Sequence, residues 1–286
     1  MNTILVTCAT STIGSRVVNN LKNAHVHVRA GVRNKRKAKA ISVANIEVAQ
    51  LDFEKPATYS SALEGVEKVF FILPVIPNQV EITRDFAKVA KEKGVKKIIL
   101  LSGLGADVKS SSDILRWHGE KEKVIRKSGI SYTILRPGNF MQNYISGCYS
   151  EMCGNGKLML PQGDAKINQV DANDIAQAAT NVLMNFGHKD RIYNLTGYSY
   201  TNMEIVDLIS NITGKKIEYE NISEEIARTK MQQCKISDWM IEAMLGLQRA
   251  CREGLMEAYS LDLKNLIGRG PTTFAEFALR HKAVFS

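Results

Sequence analysis

Two groups of residues in this chain have types and spacings that could do chemistry. Near the N-terminus, Thr7, Cys8, Ser11, Thr12, Ile13 and Gly14 lie between an apolar run, Ile4-Leu5-Val6, and Val17, Val18 and Leu21 at helical spacing. Buried strand, tight turn and helix in that order form the unit that receives a dinucleotide pyrophosphate on the first helix's free backbone amides. In a Gly-x-x-Gly-x-x-Gly frame, however, Cys8 and Ser11 fill the first two glycine positions and only Gly14 remains. Glycine serves the tight turn and the close backbone approach there, so the side chains cost phosphate affinity, although a serine hydroxyl can donate to phosphate. The second group is His118 and Glu122, one helical turn apart on one face. A histidine so placed could give a proton to a substrate while Glu122 fixes its tautomer. A capping or packing histidine beside a surface ion pair is the equally weighted alternative.

These residues need a scaffold, and the pattern around them supplies one. Apolar runs predict strands near 3–7, 26–32, 46–50, 68–73, 97–102 and 131–135, alternating with helical patterns near 13–22, 35–41, 57–64, 79–93 and 118–127. Parallel strands require such crossovers, so the fold class expected is α/β, a doubly wound parallel sheet of the Rossmann type. Gly94 and Gly129 close two of the helices just before a strand. Beyond residue 136 the texture changes to loops and short elements, with helices expected at 204–212 and 223–247. We therefore expect a dinucleotide-binding core at 1–135 and a smaller α/β substrate lobe at 136–286, parts of which could return to the sheet. Met231, Trp239, Met240 and Met244 in the second helix read as core, or as the lining of an apolar, adaptable cavity.

Composition narrows the function classes. With 286 residues, 44% of them hydrophobic and 23% charged, the chain has enough apolar material for a full core. It shows neither a signal peptide nor an apolar stretch of spanning length, so a cytoplasmic protein without membrane contact is expected. Cys8, Cys148, Cys153, Cys234 and Cys251 form no Cys-x-x-Cys pair, which argues for reduced thiols and no bound metal. The net charge of +9 is densest at Arg29, Arg33, Lys35, Arg36, Lys37 and Lys39, but no aromatics interleave with them. A solvated positive face or an anion site is expected, with no nucleic-acid partner.

The run Arg116-Trp117-His118-Gly119-Glu120-Lys121-Glu122 through Ile130-Ser131-Tyr132-Thr133-Ile134-Leu135-Arg136-Pro137-Gly138-Asn139-Phe140-Met141-Gln142-Asn143 closely resembles the NmrA-like group of atypical short-chain dehydrogenases/reductases. Further matches are Val170-Asp171-Ala172-Asn173-Asp174-Ile175-Ala176, Tyr193-Asn194-Leu195-Thr196-Gly197 and the tail Gly268 to Phe277. The tail and the Trp-His-Gly segment are similar to the branch containing ergot-alkaloid-type reductases.

The resemblance implies an NADP(H)-dependent oxidoreductase acting on a small molecule, and it implies roles for particular residues. Arg33, past the second strand, would meet the ribose 2′-phosphate, where a guanidinium fork suits a dianion; no acidic residue between Arg29 and Ile46 competes to favour NAD. Asp52 and Phe53 would lie on the adenine side, although Asp52 could equally cap a helix or turn. Leu73 and Pro74 would cover the nicotinamide ribose, with Ser102 at the fifth strand's end and Pro137 and Asn139 beside the nicotinamide. None of the nine tyrosines is followed four residues later by lysine, so the pair of typical short-chain dehydrogenases is absent. Reduction of an activated cation or quinone needs little proton catalysis, which keeps a reductase open. An NADP-sensing regulator with a protein partner and a non-redox cyclase or isomerase are the alternatives.

Overall fold

The computed structural model describes residues 3–35, 46–146 and 156–285. Six strands follow the expected alternation: β1 (Thr3–Val6), β2 (His27–Val32), β3 (Ile46–Gln50), β4 (Val66–Phe71), β5 (Lys97–Leu101) and β6 (Ser131–Pro137). Together with β10 (Arg191–Leu195) they form one parallel sheet in the order β10-β6-β5-β4-β1-β2-β3. The order reverses beside β1, the position at which doubly wound sheets take ligands in a crevice at the strands' carboxyl ends.

Both faces of the sheet are buried, because successive side chains alternate between them. Ile4, Val6, Phe70, Ile99 and Leu135 join one apolar cluster with Val17 and Leu21 of α1 (Gly14–Leu21) and with Ile175, Ala179 and Val182 of α6 (Ala172–Met184). Leu5, Val69, Phe71, Ile98, Leu100 and Ile134 join the opposite cluster. That side is covered by α2 (Ala57–Leu63), α3 (Gln79–Glu92) and α4 (Asp113–Lys127), which contribute Tyr59, Phe86 and Ile125.

The remaining chain builds a lobe over the carboxyl ends. It comprises α5 (Asn143–Ser146), a small sheet of β7 (Asn139–Phe140), β9 (Ile167–Val170) and β11 (Tyr198–Tyr200), and a parallel pair of β8 (Lys157–Leu160) with β12 (Glu218–Asn221). Helices α7 (Asn202–Thr213), α8 (Glu224–Gln233), α9 (Asp238–Arg252), α11 (Phe274–Arg280) and α12 (Lys282–Phe285) complete it, whereas α10 (Asp262–Ile267) returns to the main sheet, where its Leu263 and Ile267 join the first apolar cluster. Strand β10 leaves the lobe and pairs with β6, Arg191 against Thr133 through Leu195 against Pro137.

Two helical expectations change. The helix expected at 118–127 begins earlier, at Asp113 behind the extended N-cap Ser112. The helix expected over 223–247 is two helices, because Lys235 takes the left-handed conformation (φ 57°) and the Ile236 amide returns to the Met231 carbonyl. Ser237, extended and followed by Asp238, then starts α9. Most of the helix expected at 35–41 lies outside the described residues, as do Cys148 and Cys153. Among the described residues no helix is long and apolar enough to cross a membrane, and no group of His, Cys, Asp and Glu could hold a metal.

Candidate active site

The turn after β1 is built by the chain folding back on itself. The Cys8 carbonyl accepts the Ser11 amide at 2.8 Å, and the Ser11 hydroxyl accepts the Gly14 amide at 3.1 Å. A Cβ on Gly14 would lie 2.3 Å from the Cys8 carbonyl oxygen, so this position admits only glycine. Cys8 itself has φ 46°, a left-handed backbone that glycine adopts freely and that costs another residue about 1–2 kcal/mol. Thr7 is fully buried and works for the fold: its hydroxyl donates to the Ile72 carbonyl at 2.6 Å and accepts the Ile72 amide at 2.7 Å, joining the ends of β1 and β4. Ile13 anchors the start of α1 in the core, while Thr12 is exposed. The amides of Thr12 and Ile13 find no acceptor among the described residues. They are the orphan donors a helix N-terminus offers to phosphate oxygens, so the turn fits a pyrophosphate despite its missing glycines.

Arg33 stands exposed just past β2. Burial pushes the Cys8 thiol up to about 11, and the Arg33 guanidinium is near enough to pull it partly back. The cation therefore sits beside the phosphate turn, where a ribose 2′-phosphate would need it. Arg29, from the same basic stretch, is not available to a ligand: it bonds Glu47 at 2.9 Å and the carbonyls of Ala62 and Glu64. Lys35 is exposed, and Arg36, Lys37 and Lys39 lie outside the described residues. Asp52 is buried and its Oδ1 accepts the Glu54 amide at 3.1 Å, the turn-capping geometry. Phe53 packs edge-on against Tyr59, Phe71 and Phe86. Both follow β3 at the edge of the crevice with their side chains engaged in the fold. Past β4, Leu73 is buried and Pro74 exposed.

At the ends of β5 and β6 the structure gathers a cluster of ionisable groups. The His118 ring lies over Gly103, so that a Cβ there would be 3.1 Å from His118 Cδ2 and 3.2 Å from Nε2. Its Nδ1 is buried and has no hydrogen-bond partner among the described residues. Glu122 does not hold the histidine's tautomer, which corrects the sequence expectation. Its carboxylate accepts Arg136 Nε at 2.8 Å, Arg136 Nη2 at 2.6 Å and the Ser102 hydroxyl at 2.6 Å. Ser102, expected on the cofactor side, thus gives its hydroxyl to Glu122. Burial holds the His118 imidazole well below its ordinary range, and the cations of Lys121 and Arg136 add to the effect, so His118 is neutral at pH 7. Asn139 spends its amide within the protein, donating to Gln169 at 2.8 Å and accepting from Asn143 at 3.0 Å. The buried Pro137 carbonyl accepts the Leu104 amide at 2.8 Å.

Lys121 is the functional candidate that sequence reasoning missed. It is 1% exposed and its amine makes no hydrogen bond among the described residues; burial pushes its pKa down to about 8, with Glu122 pulling the other way. In the run Glu120-Lys121-Glu122-Lys123 it reads as one of four surface charges, yet positions 118, 121, 122 and 125 share one face at i, i+3, i+4, i+7 spacing. The burial of Ile125 marks that face as inward. A hollow of about 950 Å³ between α3 and α4 is lined instead by Trp117, Glu120, Lys123 and Val124 of α4 and by Ile76, Pro77 and Gln79 at the start of α3.

The model of the NmrA-like family matches residues 1–278. An NAD(P)H azoreductase of Xenophilus azovorans is 33% identical over 99% of this chain and 99% of its own. The solved NADPH-dependent quinone oxidoreductase QOR2 of Escherichia coli, complexed with NADPH, superposes with a TM-score of 0.87 at 31% identity, covering 97% of this chain and 99% of that one. The triphenylmethane reductase of a Citrobacter species, complexed with NADP(H), superposes with a TM-score of 0.86 at 28% identity, covering 98% and 99%.

Proposed function

The chain belongs to the NmrA-like family, and from that membership we propose that it is an NADPH-dependent reductase delivering hydride to a small, conjugated acceptor of the quinone or azo type. The observation that carries this reading is the full-length likeness to a quinone oxidoreductase solved with NADPH, together with free amides at the start of α1 and Arg33 beside them. NADPH supplies the hydride; the chain supplies binding, orientation and charge.

In this account the Thr12 and Ile13 amides take the pyrophosphate, and Arg33 takes the 2′-phosphate with charge-assisted hydrogen bonds. Cys8, Ser11 and Gly14 shape the turn from their backbone positions. Leu73, Pro74, Pro137 and Asn139 form the walls at the carboxyl ends of β4 and β6, where the nicotinamide would lie. His118, neutral and set over Gly103, would donate a hydrogen bond to the acceptor's oxygen or nitrogen, and the proton itself comes from solvent, because a neutral imidazole is too weak an acid to give one up. Glu122 acts at one remove by fixing Arg136 and Ser102.

The test is turnover of NADPH with naphthoquinone and with a neutral azo compound, followed by the loss of reduced nicotinamide absorbance. Catalysed oxidation dependent on the acceptor supports the reading. Tight NADPH binding with no oxidation by either acceptor defeats it.

A further inference from the structure

Beside the hydride site the described residues hold two cations, Lys121 buried and Arg136 half-buried. Among the described residues Glu122 is the buried carboxylate that faces them, and both its oxygens are committed to Arg136 and Ser102. His118, neutral, adds no compensation. Asp107 also faces Arg136, from the loop after β5, but it is exposed and screened by water. Gly103, beneath the His118 ring, is uncharged. The excess cation is Lys121: nearly inaccessible, without a hydrogen bond among the described residues, and one helical turn beyond His118 on the same face of α4.

A buried cation with no hydrogen bond is expensive, and negative charge developing nearby in the low-dielectric interior offsets that cost. The two acceptor classes open to a hydride donor differ in the charge they develop. When hydride adds to a neutral quinone or enone, the carbonyl π electrons move onto oxygen. An oxyanion forms and later takes a proton from solvent. When hydride adds to a cationic dye or an iminium ion, the positive centre is neutralised and no anion appears.

We propose that Lys121 is a specificity-determining residue that tunes this site for neutral acceptors whose oxygen becomes anionic on reduction, and against cationic acceptors. The inference rests on the reductase reading and sharpens its substrate class. The positive field stabilises charge that develops in the transition state, whereas a cation entering the crevice is repelled. Lys121 acts through space from behind His118, so its effect should be smaller than that of a donor touching the oxyanion.

The experiment compares wild type, Lys121→Met and Lys121→Arg at saturating NADPH with two acceptors, naphthoquinone and the cationic dye malachite green. Lys121→Met should lower kcat/KM for naphthoquinone about tenfold, leave that for the dye equal or higher, and leave the Kd of NADPH unchanged. Lys121→Arg, which keeps the charge, should restore the naphthoquinone preference. An unchanged ratio of the two acceptors in Lys121→Met, or a ratio moving toward the quinone, overturns the proposal.

A binding measurement covers the case in which wild type binds NADPH but reduces neither compound, the outcome that defeats the reductase reading itself. With NADP⁺ present, hydroxynaphthoquinone, an anion at neutral pH, should bind Lys121→Met about tenfold more weakly than wild type, while neutral naphthoquinone binds both alike. Equal weakening of both compounds would mean that Lys121 only supports the packing, and the proposal fails.

Discussion

Replacing Lys121 by methionine should make the protein more stable at neutral pH, although it removes a side chain from the interior. The amine titrates near 10.5 in an unfolded chain and at about 8 in this fold. At about 1.4 kcal/mol per pH unit, that difference is a folding cost of about 3 kcal/mol. The sign follows from proton binding. Below pH 8 both states carry the proton, and the folded state bears the whole cost of the buried cation. Between about pH 8 and 10.5 folding releases the proton and stability rises with pH, and above that range the cost is gone. Methionine fills a similar volume without charge. The variant should therefore exceed wild type by about 3 kcal/mol at pH 7 and by less than about 1 kcal/mol at pH 10. Urea unfolding of both proteins at the two pH values measures it, and groups titrating elsewhere cancel in the difference. A variant less stable than wild type at pH 7, or an advantage of the same size at both pH values, would refute the argument.

Three further outcomes are expected. Arg33→Ala should weaken NADPH binding by about 1.5–3 kcal/mol, at least tenfold, and leave NADH untouched; calorimetric titration with both nucleotides checks this. Restoring glycine at Cys8 and Ser11 together should tighten NADPH binding, because it relieves the left-handed strain at Cys8 and frees the Gly14 amide now held by the Ser11 hydroxyl; unchanged affinity in fluorescence titration would count against phosphate binding at this turn. Glu122→Ala removes the carboxylate that bonds the half-buried Arg136 and faces the buried Lys121 and should cost about 1.5–3 kcal/mol, read as a lower urea midpoint; a loss below about 1 kcal/mol would show the ion pair to be dispensable.

Much of the scaffold was legible because local signals and the fold agree. Apolar runs such as Ile98-Ile99-Leu100 are strands buried on both faces, and the glycines at 94 and 129 take the left-handed conformation (φ 76° and 77°) between helix and strand. The break at Lys235 was missed because a left-handed lysine has no composition signal; Ser237-Asp238 behind it was the usable clue. Contacts distant in sequence were harder. The spacing of His118 and Glu122 suggested a pair, but the partner of Glu122 is Arg136, brought alongside by β6. Asp52 and Asn139 were expected at the cofactor, yet their side chains are used by the turn and by Gln169. Lys121 was hidden by charged neighbours, and the burial of the α4 face reveals it.

The central claim is that hydride leaves NADPH for a small acceptor on this chain. Its most direct test is a single-turnover reaction with deuteride-labelled NADPH and naphthoquinone, following nicotinamide oxidation and quinol formation together. The account predicts equal amounts of both products, a slower rate with the deuteride wherever transfer limits it, and poorer turnover with NADH at equal concentration. NADPH that stays reduced while bound beside the acceptor would contradict it.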